Sequence, residues 1–289
     1  LKRTNSSAHV LFSSSSQEDR NNAYGKSKKD GRILLQQWAE LSRGSVTGLI
    51  IPNVFGPFGK PYYNSVVATF SHQLSHDENP KIEVDSELKL IYIGELVTEI
   101  LNKIKEKKNE SFYFIPHTIK IKVSDLLNLL KIYKEEYKEK GIIPALNNNF
   151  ELNLFNTFRC YMKILNYFPV KFKKNIDSRG SFVEIIRLDV GGQVSFSTTV
   201  PGITRGNHFH TRKIERFAVI KGKALIQLRR IGTDKVLEFY LCGDDPSYVD
   251  MPIWYTHNIQ NIGDDVLYTN FWINESYNPD DADTYFETV

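Results

Sequence analysis

The stretch GITRGNHFHTRKIERFAVIKG, residues 202–222, carries His208 and His210 two positions apart and then Glu215. On an extended strand residues i and i+2 point to one face. Two imidazoles aimed the same way, with a carboxylate arriving just beyond, read as half of a metal site. The other half has to come from elsewhere, and PIWYTHNIQN (252–261) supplies His257 five residues after Pro252. Three imidazoles and a carboxylate satisfy zinc, iron, manganese or nickel, with Zn²⁺ fitting where no redox step is needed. A catalytic and a structural metal are equally compatible with this set.

A second chemistry lies near the start of the chain. In YGKSK (24–28), Tyr24 and Lys28 are four apart, hence on one helix face. A lysine ammonium near a phenol favours the phenolate. A tyrosine so tuned can pass a proton to or from a carbonyl oxygen while a hydride moves at the carbon. The serine cluster 13–16 ends an apolar run just before it and can hold the same oxygen with a hydroxyl.

The elements that must position these groups change character along the chain. HVLFS (9–13) and VTGLII (46–51) are short apolar runs suited to buried strands, and Leu34, Leu35, Trp38, Ala39 and Leu41 recur at helical spacing between them. A proline- and glycine-bearing loop (52–61) leads to a helix over 63–75, strands near 81–84, 88–93 and 112–115, and a helix over 95–105. Ser124 is placed to N-cap a helix with Leu126, Leu127, Leu130, Tyr133 and Tyr137 on its apolar face. Alternating strands and helices are the α/β signature. Residues 140–166 read as a connection with some helix. Beyond Pro169, short β-rich segments (181–187, 193–199, 215–220, 223–229, 235–241, 247–251 and 265–273) alternate with glycine turns, the pattern of a sandwich or barrel.

Composition narrows the function classes. A chain of 289 residues accommodates two domains, and a formal net charge of +3 is too small to argue for nucleic acid. Two cysteines, Cys160 and Cys242, give no disulfide framework and suit a reducing cytoplasm. No apolar run approaches the roughly 20 residues that span a bilayer, and no signal peptide is visible.

Several motifs together resemble known families. Serines closing a strand, NAYGKSK opening a helix, and a buried strand ending in PNVFGP resemble the extended short-chain dehydrogenase/reductases that act on nucleotide sugars. The resemblance implies Ser15 as the active-site hydroxyl, Tyr24 as general acid/base, and Lys28 as the lysine on the nicotinamide ribose. It also implies Pro52 and Asn53 flanking nicotinamide and sugar. LIYIGEL (90–96) is similar to a later segment of that family, with Gly94 and Glu95 in place of its Asp pair. The family's opening Gly-rich turn, which holds the cofactor pyrophosphate, does not occur before Ser13. The expectation is therefore an amino-terminally truncated Rossmann-like domain, lacking the first half of its sheet and binding NADPH poorly or not at all.

Residues 202–222 match the first cupin motif, and 252–261 its partner, with Trp254 where a glycine is usual. NIDSRGSFVEII (175–186) and GITRGNHFH resemble the deoxysugar 3,5-epimerase cupins. That likeness implies nucleotide-sugar contacts from Arg179, Phe182 and Glu184, diphosphate neutralisation by Arg205, and His208 as proton-abstracting base. Phe271 falls where those epimerases carry a tyrosine acid. One ring nitrogen cannot both hold a metal and abstract a proton, so either the metal displaces the base role of His208 or it polarises the substrate carbonyl.

The combination resembles the CapF-type bifunctional enzymes of capsular polysaccharide synthesis along essentially the whole chain. It implies a reductase part over 1–140, a helical connection over 141–168 and an all-β cupin jelly-roll over 169–289. By resemblance, the cupin epimerises C3 of a UDP-2-acetamido-2,6-dideoxy-4-ketohexose, and the reductase reduces C4 with NADPH to the L-talose sugar, in a cytoplasmic homodimer. Three rival readings stand: a dTDP-linked pair, a folded remnant serving as a metal-binding dimerisation module, and a cupin dioxygenase.

Overall fold

The computed structural model describes residues 6–177, 180–183, 185–186, 188, 191–275 and 277–289. Compactness divides the chain into two units, Leu1–Thr69 with Lys81–Asn128, and Phe70–Pro80 with Leu129–Val289.

In the first unit β1 (His9–Ser15) leads through α1 (Ala23–Glu40) to β2 (Ser45–Ile51) and β3 (Asn53–Phe55). After α2 (Val66–Ser75), the chain continues as β4 (Glu87–Tyr92), α3 (Ile93–Glu106), β5 (Glu110–Phe114), β6 (Ile119–Lys122) and α4 (Val123–Tyr133). Strands β1, β2 and β5 form a parallel sheet with β2 in the middle. Central placement explains the unbroken apolar run, because Val46 to Ile50 are all buried. Gly48 is needed there, since a Cβ would meet the Ser111 carbonyl at 2.5 Å and Arg32 Cδ at 2.7 Å. Strand β4 pairs β3 in parallel and β6 antiparallel. Asn22 caps α1, its side-chain oxygen accepting from Gly25 N at 2.7 Å.

Two local expectations fail in this unit. Residues 81–84 form no strand; Val84 is exposed and the segment pairs with nothing among the described residues. Ser124 does not cap α4, which begins a residue earlier. Its N–H and hydroxyl both donate at 2.9 Å to Asp85, a carboxylate from the segment before β4 that serves the helix start.

The second unit continues α4 into a wide π turn (Lys134–Glu139), then α5 (Asn149–Arg159) and α6 (Ile164–Tyr167). The stretch read as a connection carries core residues: Leu154, Phe155 and Phe158 are fully buried. Tyr137 donates to Asp250 at 2.6 Å, and Arg216 grips the same carboxylate at 2.7 and 2.9 Å, which joins this helical part to the strands. Packing thus groups 129–140 with the β-rich part.

The strands are β7 (Val170–Lys171), β8 (Lys174–Asp177), β9 (Gly180–Val183), β10 (Gln193–Thr199), β11 (Thr204–Phe209), β12 (Glu215–Lys221), β13 (Lys223–Arg230), β14 (Val236–Cys242), β15 (Ser247–Met251), β16 (Tyr255–Asn261), β17 (Leu267–Ile273) and β18 (Tyr285–Phe286). They make two five-stranded sheets, ordered β10-β17-β12-β15-β7 and β14-β13-β16-β11-β18, plus the β8–β9 hairpin. One apolar cluster draws on both sheets, with Ala218, Val219 and Val249 from one and Ile226, Leu228 and Ile259 from the other. No helix among the described residues is long and apolar enough to cross a membrane.

Candidate functional site

The sheet register brings the histidines together. His208 on β11 stands directly opposite His257 on β16, while His210 follows the end of β11. Glu215 opens β12 on the other sheet. Ligand atoms of His208, His210, Glu215 and His257 all lie within 4.8 Å of one another. Glu215 Oε2 lies 3.2 Å from His210 Nε2 and 3.1 Å from His257 Nε2.

The turn residues of the motif make this register possible. A β-bulge falls between Gly206 and His208. Gly206 has φ of 103° and Asn207 of 62°, both left-handed. A Cβ on Gly206 would meet the His257 carbonyl at 2.8 Å. Trp254, standing where a glycine is usual, has φ of 61°, so the backbone keeps the conformation a glycine would allow. Its N–H donates to the His210 carbonyl at 2.8 Å and its ring stacks on Phe209 at 5.6 Å.

Glu215, His210 and His257 are buried and His208 is half-buried. Burial, with help from the neighbouring His257 ring, pulls the His208 imidazole down to about 4 and leaves it neutral near pH 7. Burial pushes the Glu215 carboxyl up, but the His210 and His257 imidazoles beside it outweigh that and hold the group well below the usual range. Burial lowers His210, and its bond to Glu215 reverses the sign.

A divalent cation suits these residues. Among the described residues His257 Nε2 is buried with no hydrogen-bonded partner, its approach to Glu215 being unaligned for one. A buried orphan nitrogen is costly, and a cation between it and the carboxylate removes that cost. The other ring nitrogens are held by main-chain carbonyls, His210 Nδ1 by Asp283 O at 2.5 Å and His257 Nδ1 by Tyr255 O at 3.2 Å. This fixes which nitrogen faces the centre.

The remaining expected residues fall in several places. Arg205 is exposed on β11. Phe182 lies on β9 opposite Asn175. Arg179 and Glu184 lie outside the described residues. Phe271 stacks at a tilt on Phe217, 5.9 Å away, and Phe217 sits edge-on to His257 at 5.9 Å. In the first unit Ser15 ends β1, and Tyr24 and Lys28 lie in the first turns of α1. Lys28 Nζ is 5.8 Å from the Tyr24 ring centre and donates to the Ser13 carbonyl at 2.8 Å. Pro52 follows β2, and Asn53 accepts from Gln17 at 3.5 Å. Ser15 and Pro52 line a hollow of about 530 Å³ at the carboxyl ends of the parallel strands, the usual ligand position in such sheets.

Sequence reasoning missed Asp283. Its carboxylate accepts from the N–H groups of Thr211, Arg212 and Lys213 at 3.0 Å and from the Thr211 hydroxyl at 2.6 Å. Its distance along the chain from His210 hid it.

Comparison with known proteins bears on this arrangement. Residues 175–285 match the family described as Polysaccharide biosynthesis C-terminal domain. A UDP-2-acetamido-2,6-beta-L-arabino-hexul-4-ose reductase of Pseudomonas aeruginosa is 32% identical over 279 residues, 96% of this chain and 74% of that protein. The spore coat polysaccharide biosynthesis protein SpsL of Bacillus subtilis is 28% identical over 39% of this chain and 82% of its own. The crystal structure of the capsular polysaccharide assembling protein CapF from Staphylococcus aureus superposes with a TM-score of 0.60 at 37% identity, covering 100% of this chain and 79% of that one. CapF with the inhibitor 3-isopropenyl-tropolone gives 0.50 at 36% identity, covering 89% and 76%.

A mixed α/β unit followed by a β-rich unit with a buried His₃Glu cluster is here a sugar-modifying enzyme of polysaccharide biosynthesis. The likeness runs along almost the whole length rather than through one domain. The chain belongs to the CapF family.

Proposed function

We propose that the chain is a bifunctional nucleotide-sugar enzyme whose β-rich unit, a cupin jelly-roll, epimerises C3 of a UDP-2-acetamido-2,6-dideoxy-4-ketohexose. The Rossmann-like unit then reduces C4 to the L-talose sugar. The convergence of His208, His210, Glu215 and His257 within 4.8 Å carries the reading. The order follows from the chemistry: a C4 ketone acidifies the C3 proton, and reduction removes the ketone and locks the new configuration.

A divalent cation bound there, with zinc fitting a step without redox change, would supply Lewis acidity to a substrate carbonyl. The protein's own part is to hold four ligand atoms convergent and to keep His208 neutral. As a ligand, His208 is not free to abstract the proton through the same nitrogen. Phe271 offers no hydroxyl, so the proton delivered to C3 comes from another group or from water. Arg205, exposed on the same strand as His208, is free to meet the diphosphate.

NADPH would supply the hydride. Tyr24 and Lys28 on one face of α1, with Ser15 and Pro52 at the strand ends, suit the nicotinamide ribose end of such a cofactor. Tyr24 would give the C4 oxygen its proton and Ser15 would hold that oxygen. The outer strand β10 exposes Val194 at 58% and Phe196 at 75%, which supports a homodimer through the β-rich unit. Free Cys160 and Cys242 suit a reducing cytoplasm.

The test is solvent exchange. The chain, loaded with Zn²⁺, is incubated in D₂O with the UDP-4-keto sugar and without NADPH, and C3 is followed by NMR. Deuterium at C3 is the expected result. No exchange on a metal-loaded sample, with exchange on the dTDP sugar also missing, overturns the epimerase reading and favours a binding module.

A further inference from the structure

The segment 281–289 returns to the histidine cluster from more than seventy residues away. Strand β18 pairs with β11 at His208 and Phe209. Glu287 N donates to the Asn207 carbonyl at 3.0 Å. Asp283 is buried and adopts φ of 40°, a left-handed conformation that costs a non-glycine residue energy. What holds it there is its carboxylate, which collects the three consecutive N–H groups of residues 211–213. In that conformation its own main-chain carbonyl accepts from His210 Nδ1 at 2.5 Å.

We infer that Asp283 is the positioning residue of the metal centre. Its carboxylate fixes the turn that follows His210, and its carbonyl pins His210 as the Nδ1–H tautomer with Nε2 presented to the cluster. A structural tail-tether would need neither feature. Arg212 already ties the segment through Asp281, and Arg229 ties it through Glu287. Among the described residues, Asp283 alone couples a hold on this turn to the tautomer of His210. The inference rests on the metal reading above.

The experiment compares wild type with Asp283→Ala, Asp283→Asn and Arg212→Ala. Asn keeps one acceptor oxygen but turns an amide N–H₂ toward backbone donors. Two readouts are taken: Co²⁺ and Zn²⁺ affinity by competition with a chelator, and the His210 tautomer in metal-free protein by ¹⁵N–¹H NMR. Wild type is expected to show a slowly exchanging Nδ1–H. Asp283→Ala is expected to lose it and to bind metal 10–100-fold more weakly, the usual size of an outer-partner loss. Asp283→Asn should fall between, and Arg212→Ala should match wild type in both. Equal affinity and an unchanged tautomer in Asp283→Ala overturn the inference. So does an equal loss in Arg212→Ala, which would make the tail a mere tether. Wild type that binds no metal but keeps the Nδ1–H tautomer overturns the metal reading and leaves the carbonyl–imidazole contact without a metal to serve.

Discussion

At the residue scale the cluster is a set of buried groups that need one another. Glu215 would be an isolated buried carboxylate without its histidines, and His257 Nε2, 3.1 Å from that carboxylate, has no hydrogen-bonded partner among the described residues. Glu215→Gln keeps the shape and removes the charge. Metal affinity should fall more than 100-fold, beyond the loss usual for an outer partner, as read by chelator competition. Trp254 invites a different comparison. Its left-handed backbone would suit glycine, yet its ring stacks on Phe209. Trp254→Ala loses the stack and keeps the strain, whereas Trp254→Gly loses the stack and relieves it. Denaturant melts should find the glycine variant more stable than the alanine variant by about 1 kcal/mol. The motif residues were legible because their spacing is the chemistry. The glycine-like backbone at Trp254 was legible only as a departure from pattern, since a tryptophan by itself carries no signal for positive φ. Asp283 was not legible at all: an acidic residue in a polar tail looks solvated until the chain folds back.

At the element scale, strands that bury both faces or alternate strictly announced themselves. Gln193–Thr199 and Ser247–Met251 fall where the pattern put them. Strand β16 was missed as an element and β11 was read only from its histidine pair, because Gly206, Asn207 and the inward histidines break the apolar alternation at the very place where the site is built. Segment 81–84 misled in the other direction, two apolar residues without a partner strand. In the first unit, α1 is locked beneath the sheet by a buried pair. Arg32 donates to both Glu18 oxygens at 3.0 and 2.8 Å, and Ser14 donates to Oε2 at 2.6 Å. Burial pushes the Glu18 carboxyl up, but the bonds from Arg32 and Ser14 prevail and leave it below its ordinary 4.5. A carboxyl lowered on folding stabilises fully above pH 4.5, and that contribution is lost as pH falls through the folded value. Acid titration of stability should therefore be shallower in Glu18→Gln than in wild type. Arg32→Ala, which strands the carboxylate, should cost about 3–5 kcal/mol by chemical denaturation.

At the scale of the whole molecule, the two units carry separate cores. One is built on Leu49, Ile91, Leu96 and Ile115, the other on the two five-stranded sheets. The four residues that could hold a metal ion all belong to the second. Metal should accordingly stabilise one unfolding transition and not the other. At a free Zn²⁺ concentration one hundred times its Kd the gain is about 2.7 kcal/mol, or roughly 5–10 °C for a unit of this size. Calorimetry with and without a chelator should show one peak moving and one fixed; both moving together would mean that the units unfold as one. The class of each half was readable from the texture of its segments. The grouping of 129–140 was not, because Tyr137 finds its partners Asp250 and Arg159 far along the chain. The return of Asp283 to His210 also sets a clock. The two are separated by 73 residues. A ribosome adding about 5–20 residues per second needs roughly 4–15 s to cover that gap. For that interval a nascent chain already displays His208 and His210 with the imidazole of His210 free to take either tautomer. On the proposed metal reading, selection of the right ion would wait for the later-made segment to arrive.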